Sequence, residues 1–225
     1  VAKTEQKDNS TYIQKKTLRK KALSILDSMG VEAKVMETHG GEGKLFDACY
    51  SHLETGIVFE KDERKAEKLA KQRPHWRVYQ ADSEKALADH VGADMPITLL
   101  DIDPYGACWN CVDGFFGSKR DFAPVLAICV NDGLRQTLSI KTGWKVEQMG
   151  EMVMRYGNDA LYHHYLEICE ELLGEKIAQA GYRLEQFNGY FCGFNSFMTH
   201  FLAIARRETS PFETTALQAT EIPQA

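Results

Sequence analysis

Residues 99–106 read Leu99-Leu100-Asp101-Ile102-Asp103-Pro104-Tyr105-Gly106. An apolar run stops abruptly in acid, proline, aromatic ring and glycine, the pattern of a buried strand that ends in a rigid turn at the edge of a sheet. In open α/β sheets, ligands bind beyond the carboxyl ends of the strands. This turn brings a carboxylate, a fixed carbonyl and a ring to that edge. The combination fits a planar amine: Asp103 and the Pro104 carbonyl accept its two protons, while Tyr105 packs on the heterocycle's face. A turn with only a structural duty has little reason to combine Asp101, Asp103 and Tyr105.

Outward from this stretch, extended and helical patterns alternate. Upstream lie an extended segment ending at Glu37, a glycine turn, a helix from about Lys44 to Leu53, and the extended run Gly56 to Glu60. A helix from Glu63 to Gln72, the run Trp76 to Gln80, a helix from Ser83 to about His90 and the run Ile97 to Ile102 follow. Downstream, Val125 to Val130 has the length and apolarity of a buried strand. Repeated βα units predict an α/β fold, a mostly parallel sheet with helices on both faces. Residues 133–158, rich in Gly, Met, Lys and Gln, break the rhythm and read as an insertion. A helix from about Leu161 to Ala180 then leads to two strand-like runs, Tyr182 to Phe187 and Phe197 to Arg206.

The composition suits one such domain. The chain has 225 residues, 44% of them apolar and 26% charged, enough for a core that needs no disulfide. The expected division is 1–30 for a loose start and first helix, 31–208 for the domain, and 209–225 for a tail. A net charge of −5 argues against coating nucleic acid by bulk electrostatics, but leaves room for a local basic patch. One candidate is the amphipathic helix between Thr11 and Met29, where Lys15, Lys16, Arg19, Lys20 and Lys21 are either a nucleic-acid contact or a solvated face. Six scattered cysteines, several in apolar segments, point to buried free thiols and a reducing, cytoplasmic compartment. Cys108 and Cys111 form a lone CxxC without a second pair, so no metal site is expected. No apolar run reaches the length of a membrane span, and Val1 to Lys20 has no signal-like apolar region, so no membrane partner is expected.

Three further positions suit a nucleotide-like ligand. In Glu37-Thr38-His39-Gly40-Gly41-Glu42-Gly43, glycines let the backbone turn tightly and approach a ligand, and the following helix start offers free N–H groups. The alternative is a purely structural turn. Glu60 ends the next strand, where a carboxylate accepts both hydroxyl protons of a ribose; the alternative is a surface acid in the charged run Glu60 to Lys65. Asp82-Ser83 follows the third strand, in reach of an adenine amino group, but equally serves as a helix N-cap.

Taken together these residues resemble the class I S-adenosylmethionine-dependent methyltransferases, over roughly residues 31–206. The turn from Glu37 to Gly43 is similar to their first motif, Glu60 to their ribose-binding acid, Asp82 to their adenine-contacting acid, and Asp103-Pro104-Tyr105-Gly106 to their catalytic fourth motif. The run from Asp101 to Gly106 resembles the signature of the tRNA guanine-amino dimethyltransferases. The resemblance implies a Rossmann-like, seven-stranded sheet closing in a C-terminal antiparallel hairpin, with S-adenosyl-L-methionine as cofactor. It implies cofactor contacts from Glu37, His39, Gly40, Gly41, Gly43, Glu60, Asp82 and Ser83. Asp101 either joins them or buttresses the loop. Asp103, Pro104 and Tyr105 form the implied catalytic set, acting on an exocyclic amino group of a nucleobase in RNA or DNA. Two departures stand out: His39 replaces the usual first glycine, and the extra C-terminal domain of the tRNA enzymes does not follow the last strand, so full-length tRNA is one candidate acceptor among several. No Pro-Cys pair is present for covalent pyrimidine methylation.

The rival readings are a non-catalytic cofactor-binding subunit of a modification complex, and a methyltransferase for a small molecule or protein side chain. His163 and His164 cannot both face one site on a helix, so surface or core roles are expected. The aromatics between Phe187 and Asn195 either line a flat pocket or pack the hairpin.

Overall fold

In the computed structural model, residues 11–139 and 147–208 are described. Seven strands form one sheet in the order β3-β2-β1-β4-β5-β7-β6. These are β1 (Val35–Glu37), β2 (Gly56–Glu60), β3 (Arg77–Gln80), β4 (Leu99–Ile102), β5 (Val125–Asp132), β6 (Tyr182–Cys192) and β7 (Met198–Arg207). β1 to β5 pair in parallel, and β7 runs antiparallel to both β5 and β6. The central strands are buried on both faces, which is why they read as unbroken apolar runs rather than alternating ones.

Helices cover both faces. Against one pack α1 (Tyr12–Ser28), the π-helical segment Phe46–Tyr50 and α2 (Glu63–Gln72); Leu18, Ala22, Leu26, Phe46, Tyr50, Leu69 and Trp76 fill that layer. Against the other pack α3 (Ser83–Ala88), α4 (Trp109–Gly117), α6 (Glu147–Tyr156), α7 (Asn158–His163) and α8 (Tyr165–Gln179), with Trp109, Phe115, Leu172 and Ile177 inside. The short α5 (Leu134–Ser139) follows β5 directly. Local chemistry sets the helix starts: Asp62 accepts from the Lys65 N–H at 3.0 Å, and Asp82 accepts from that of Lys85 at 3.4 Å.

The structure departs from the expected elements in four places. α4 fills residues to which no element was assigned, although Cys108, Trp109, Val112, Phe115 and Phe116 recur at helical spacing. The described part of 133–158 is no appendage, since Met149 and Met152 of α6 are fully buried in the core. The helix expected from 161 to 180 is broken at His164, and both His163 and His164 are exposed. β6 runs five residues beyond Phe187 because Asn188, Gly189 and Tyr190 keep pairing with Leu202, Phe201 and His200. The expected loose start (1–10), the tail (209–225) and residues 140–146 lie outside the described residues.

Candidate active site

The connections from β1 and β4 leave in opposite directions, which opens a crevice at their carboxyl ends, the switch point where open α/β sheets take ligands. Glu37 and Asp101 are register partners at this point. Both carboxylates turn into the layer beneath α1 and α2, and each meets a buried arginine. Arg73 pairs with Glu37. Arg19 grips Asp101 with two nitrogens, Nε lying 3.0 Å from Oδ2, and Tyr50 donates to the same Oδ2 at 2.7 Å. Burial pushes the Glu37 carboxyl up to about 7 against the pull of Arg73. Asp101 is thus paired internally beneath the turn after β4, and Glu37 is paired in the same way under β1.

Above this layer lies the glycine turn. Gly40 is required by packing, because a Cβ there would lie 2.5 Å from Leu69 Cδ1 and 2.6 Å from Val58 Cγ2. Gly41 is different: its φ is +54° and nothing lies within 4 Å of where its Cβ would stand. Its N–H donates to Glu60 Oε2 at 2.7 Å, and Asp62 N–H donates to Oε1 at 2.9 Å. His39, in place of a glycine, is accommodated by tying its ring sideways: Nδ1 lies 2.7 Å from Thr38 Oγ1 and Nε2 lies 3.3 Å from Ser83 Oγ. Burial lowers the pKa of His39, although Asp103, Glu60, Glu84 and Asp101 all favour its charged form. Ser83 is buried and also contacts Cys111 Sγ at 3.6 Å. Asp82 caps α3 and accepts from Lys61 Nζ at 3.0 Å, which holds its carboxyl below the usual range.

The turn after β4 completes the site. Lys15 Nζ donates to Asp103 Oδ1 at 2.6 Å. Burial would raise the Asp103 pKa, yet Arg19, Lys15 and the Asn131 amide together hold the carboxyl below its ordinary value. Asn131 Oδ1 accepts from Arg19 Nη1 at 3.0 Å. His200, the register partner of Asn131 on β7, is fully buried, and its Nε2 has no hydrogen-bond partner. Pro104 leads into Tyr105, whose ring is fully exposed, and the turn is tied to the end of β5 by Gly133 N–H donating to the Gly106 carbonyl at 3.0 Å.

The geometry thus brings together Glu60, the glycine turn, His39, Ser83 and Asp103 along one edge, and draws Glu37 and Asp101 below it. It also revises the basic face of α1. Arg19 is buried and Lys15 turns onto Asp103, leaving Lys20 and Lys21 exposed. The parts played by Lys15, Arg19, Asn131 and His200 were not expected from sequence. For the first two a signal exists: Lys15, Arg19, Ala22 and Leu26 fall on one helical stripe, and the last three are buried.

No protein-family model matches this chain, and no curated protein does. Solved structures do share its fold. Trm1 from Pyrococcus horikoshii in complex with S-adenosyl-L-methionine superposes with a TM-score of 0.60 at 10% identity, covering 88% of this chain and 55% of its own. TYW2 from M. jannaschii in complex with AdoMet gives 0.56 at 12% identity, covering 92% of this chain and 80% of its own. The N-methyltransferase NodS from Bradyrhizobium japonicum in complex with S-adenosyl-L-homocysteine gives 0.56 at 11% identity, covering 92% of each chain. The chain has the Rossmann-like fold of S-adenosylmethionine-dependent methyltransferases, and at these identities the likeness is one of fold.

Proposed function

We propose that this chain is an S-adenosylmethionine-dependent methyltransferase that acts on an exocyclic amino group of a nucleobase. The observation that carries this reading is Asp103: a half-buried carboxylate whose pKa its neighbours hold below the ordinary value, placed before Pro104 and an exposed ring, at the carboxyl edge of β4. A scaffold subunit has no use for that arrangement.

The residues present fit the cofactor. A carboxylate offers about four acceptor positions, and Glu60 uses two on Gly41 and Asp62. Two remain for the hydroxyls of a ribose. The open space over Gly41 admits a ligand against the backbone, where any side chain would stand in the way. Asp82 and Ser83, at the end of β3, are assigned to the adenine side of the same edge. His39 closes the floor between them. When bound, the cofactor supplies a methyl group on a sulfonium sulfur.

The chain's own task is alignment and charge. Asp103 and the Pro104 carbonyl accept the two protons of the acceptor amine, Tyr105 holds the ring, and Arg19 with Asp101 keeps the turn from yielding. Lys15 uses one acceptor position on Asp103 Oδ1, and the acceptor amine takes another on the same carboxylate.

The test is incubation of the full chain with methyl-labelled cofactor and separate pools of tRNA, ribosomal RNA, DNA and cell protein. Label in a nucleic-acid pool is expected. Label confined to protein replaces the acceptor assignment, and a chain that neither binds the cofactor by calorimetry nor transfers label is not this enzyme.

A further inference from the structure

The outer side of α1 takes no part in the chemistry assigned above. The helix carries Lys15, Lys16, Arg19, Lys20 and Lys21 against a single acid, Asp27 near its end. At about 100° per residue, Lys15 and Arg19 share the stripe of Leu18, Ala22 and Leu26, which packs on the sheet. Lys16, Lys20 and Lys21 fall on the rest of the circumference, where Lys20 and Lys21 are exposed and Lys16 is half-buried. The Lys16 ammonium lies 5.9 Å over the Tyr12 ring, and the Tyr12 hydroxyl donates to the Lys44 carbonyl at 3.1 Å. Exposed Lys44 thus brings a fourth cation to the start of the helix.

Among the described residues none of these four lysines makes an ion pair, whereas Lys61, Lys68, Arg77 and Arg155 elsewhere on the surface each meet a carboxylate. Lys16 and Lys20 stand at i and i+4, where like charges weaken a helix and an acid would strengthen it. α2 shows the ordinary solution, with Glu63 in its first turn and Glu67 among its cations; the first turn of α1 has no acid. The chain as a whole is acidic, at −5, so this face is no part of a general positive charge. Two polyanions could answer it, a membrane or a nucleic acid. The apolar stripe of α1 is spent on the sheet, and Ile13 is its one large apolar side chain left exposed, so the helix has little to bury in a bilayer. A phosphodiester backbone asks only for the charge. Position favours it too: Lys15 of the same helix donates to Asp103 Oδ1 at 2.6 Å, which sets the outer face one helix width, about 10 Å, from that carboxylate. About three stacked nucleotides span the distance.

We propose that the outer face of α1, with Lys16, Lys20, Lys21 and Lys44, seats the phosphodiester backbone of the strand whose base enters at Asp103, an inference that rests on the nucleobase-amine reading above. Lys16 and Lys20, one turn apart, engage neighbouring phosphates of that strand. Each lysine so engaged releases a condensed counterion, so binding weakens with salt in proportion to the contacts made. The two sides of α1 then have two tasks: Lys15 and Arg19 hold the acids of the acceptor turn, and the outer side holds the strand.

The probes are a fluorescein-labelled single-stranded RNA of mixed sequence, the DNA of the same sequence, and vesicles of phosphatidylcholine with phosphatidylserine. Anisotropy titrations across a salt series, with vesicle co-sedimentation beside them, compare the full chain with the double variants Lys16→Gln/Lys20→Gln and Lys119→Gln/Arg207→Gln. The second pair removes the same charge from exposed residues at the amino end of the sheet. The α1 pair is expected to weaken strand binding by about ten- to thirty-fold near 0.1 M salt and to flatten the log–log salt slope by about 1–2. Its affinity for S-adenosylhomocysteine and its thermal midpoint stay at the wild-type values, and the control pair keeps the wild-type slope. In transfer assays on the pool that takes up label, the α1 pair raises KM and leaves kcat unchanged, the mark of lost uniform binding. A wild-type slope in the α1 pair, or an equal fall in the control pair, overturns the surface; label still entering nucleic acid at the wild-type KM then leaves the acceptor reading standing. Vesicle binding that the α1 pair loses while strand binding is intact gives the face to a membrane and overturns the proposal as well. A wild-type chain that binds neither strand at low salt does the same, and label confined to protein removes the acceptor reading on its own.

Discussion

Lys15 Nζ stands 2.6 Å from Asp103 Oδ1, and one turn further along the same helix Arg19 grips Asp101. The first helix therefore holds both acids of the Asp-Ile-Asp-Pro run, one loosely at the rim and one rigidly below it. The two contacts differ in kind. The Lys15 and Asp103 side chains are 21% and 17% exposed, so this pair can open to solvent; those of Arg19 and Asp101 are 0% and 2% exposed.

Removing the Lys15 charge should raise the Asp103 pKa. Burial pushes this carboxyl up, and Arg19, Lys15 and Asn131 hold it down, so Lys15→Gln withdraws part of the restraint. A carboxyl with a depressed pKa adds stability above its unfolded value and loses it as pH falls through the folded value, and Lys15→Gln should shrink that contribution. Carbon-13 NMR of labelled aspartate reads the titration directly. An Asp103 signal that titrates at the same pH in both proteins would mean that the contact does not persist in solution.

Breaking the pair beneath should cost far more. Asp101→Ala leaves a buried guanidinium without its counter-ion, a loss of about 3–5 kcal/mol. The double variant Arg19→Met with Asp101→Leu should recover only part of that: apolar residues replace the ion pair itself at little cost, but the buried Tyr50 hydroxyl and Asn131 Oδ1 lose their partners. Tyr50→Phe removes one hydrogen bond to a charged acceptor and should cost about 1.5–3 kcal/mol. Urea unfolding of the set decides it, and an Asp101→Ala midpoint equal to wild type would make the Arg19–Asp101 pair an incidental contact.

The sheet was legible because most of its parallel strands are largely apolar runs closed by turn residues, as from Gly56 to Glu60 and from Val125 to Val130. The turn at Asp103 was legible for the same reason, since acid, proline and ring have no business at the end of an apolar strand. What escaped depends on contacts distant in sequence. Nothing around Glu37 announces Arg73, or around Asp101 announces Arg19, so the internal pairing of both acids could not be read from the sequence. The extension of β6 escaped because Asn188 and Gly189 read as turn residues, whereas pairing with the buried β7 outweighs their local preference.

Glu60→Ala should weaken S-adenosylhomocysteine binding by about 1.5–3 kcal/mol, the range for lost charge-assisted hydrogen bonds. It should also loosen the glycine turn, because Gly41 N–H donates to the same carboxylate. Glu60→Gln separates the two effects: an amide oxygen still receives Gly41 N–H, but the charge is gone. Calorimetry of both variants is the measurement, and an unchanged affinity in Glu60→Ala removes the ribose assignment.

His200 should make the fold sensitive to acid. Burial, with Arg19 and Lys15 nearby and only Asp103 opposing, lowers its pKa to about 3. A base with a depressed pKa contributes stability that is present above its unfolded value near 6.5 and is lost as pH falls toward 3. Glu37 and Asp132, raised to about 7 and about 6, contribute with the opposite sign, but they are common to wild type and variant and cancel in the comparison. The stability difference between wild type and His200→Gln should therefore shift by about 2–3 kcal/mol in the variant's favour between pH 7 and pH 4. Urea midpoints at the two pH values give the answer, and parallel pH profiles would show that His200 is not held neutral.

The catalytic assignment stands or falls on Asp103. An amine conjugated to a heterocycle is a poor nucleophile because its lone pair is delocalised into the ring. Two fixed acceptors on its protons favour the pyramidal geometry in which the lone pair is free, and a negative charge beside the nitrogen stabilises the positive charge that grows as methyl arrives. Both effects are larger at a carboxylate that stays ionised, which is what Arg19, Lys15 and Asn131 secure against burial. Asp103→Ala should cut the methyl-transfer rate by about a hundredfold, or about 2.7 kcal/mol, and leave cofactor affinity within a few fold. Asp103→Asn keeps the shape and removes the charge, so it isolates the electrostatic part. It also releases Lys15, so Lys15→Gln must be measured beside it to separate loss of the acceptor's partner from loss of the helix contact. Single-turnover rates at saturating cofactor, with the nucleic-acid pool that takes up label, supply the numbers. Wild-type rates in both Asp103 variants would make this residue a structural member of the turn and would remove the main support for an amino acceptor.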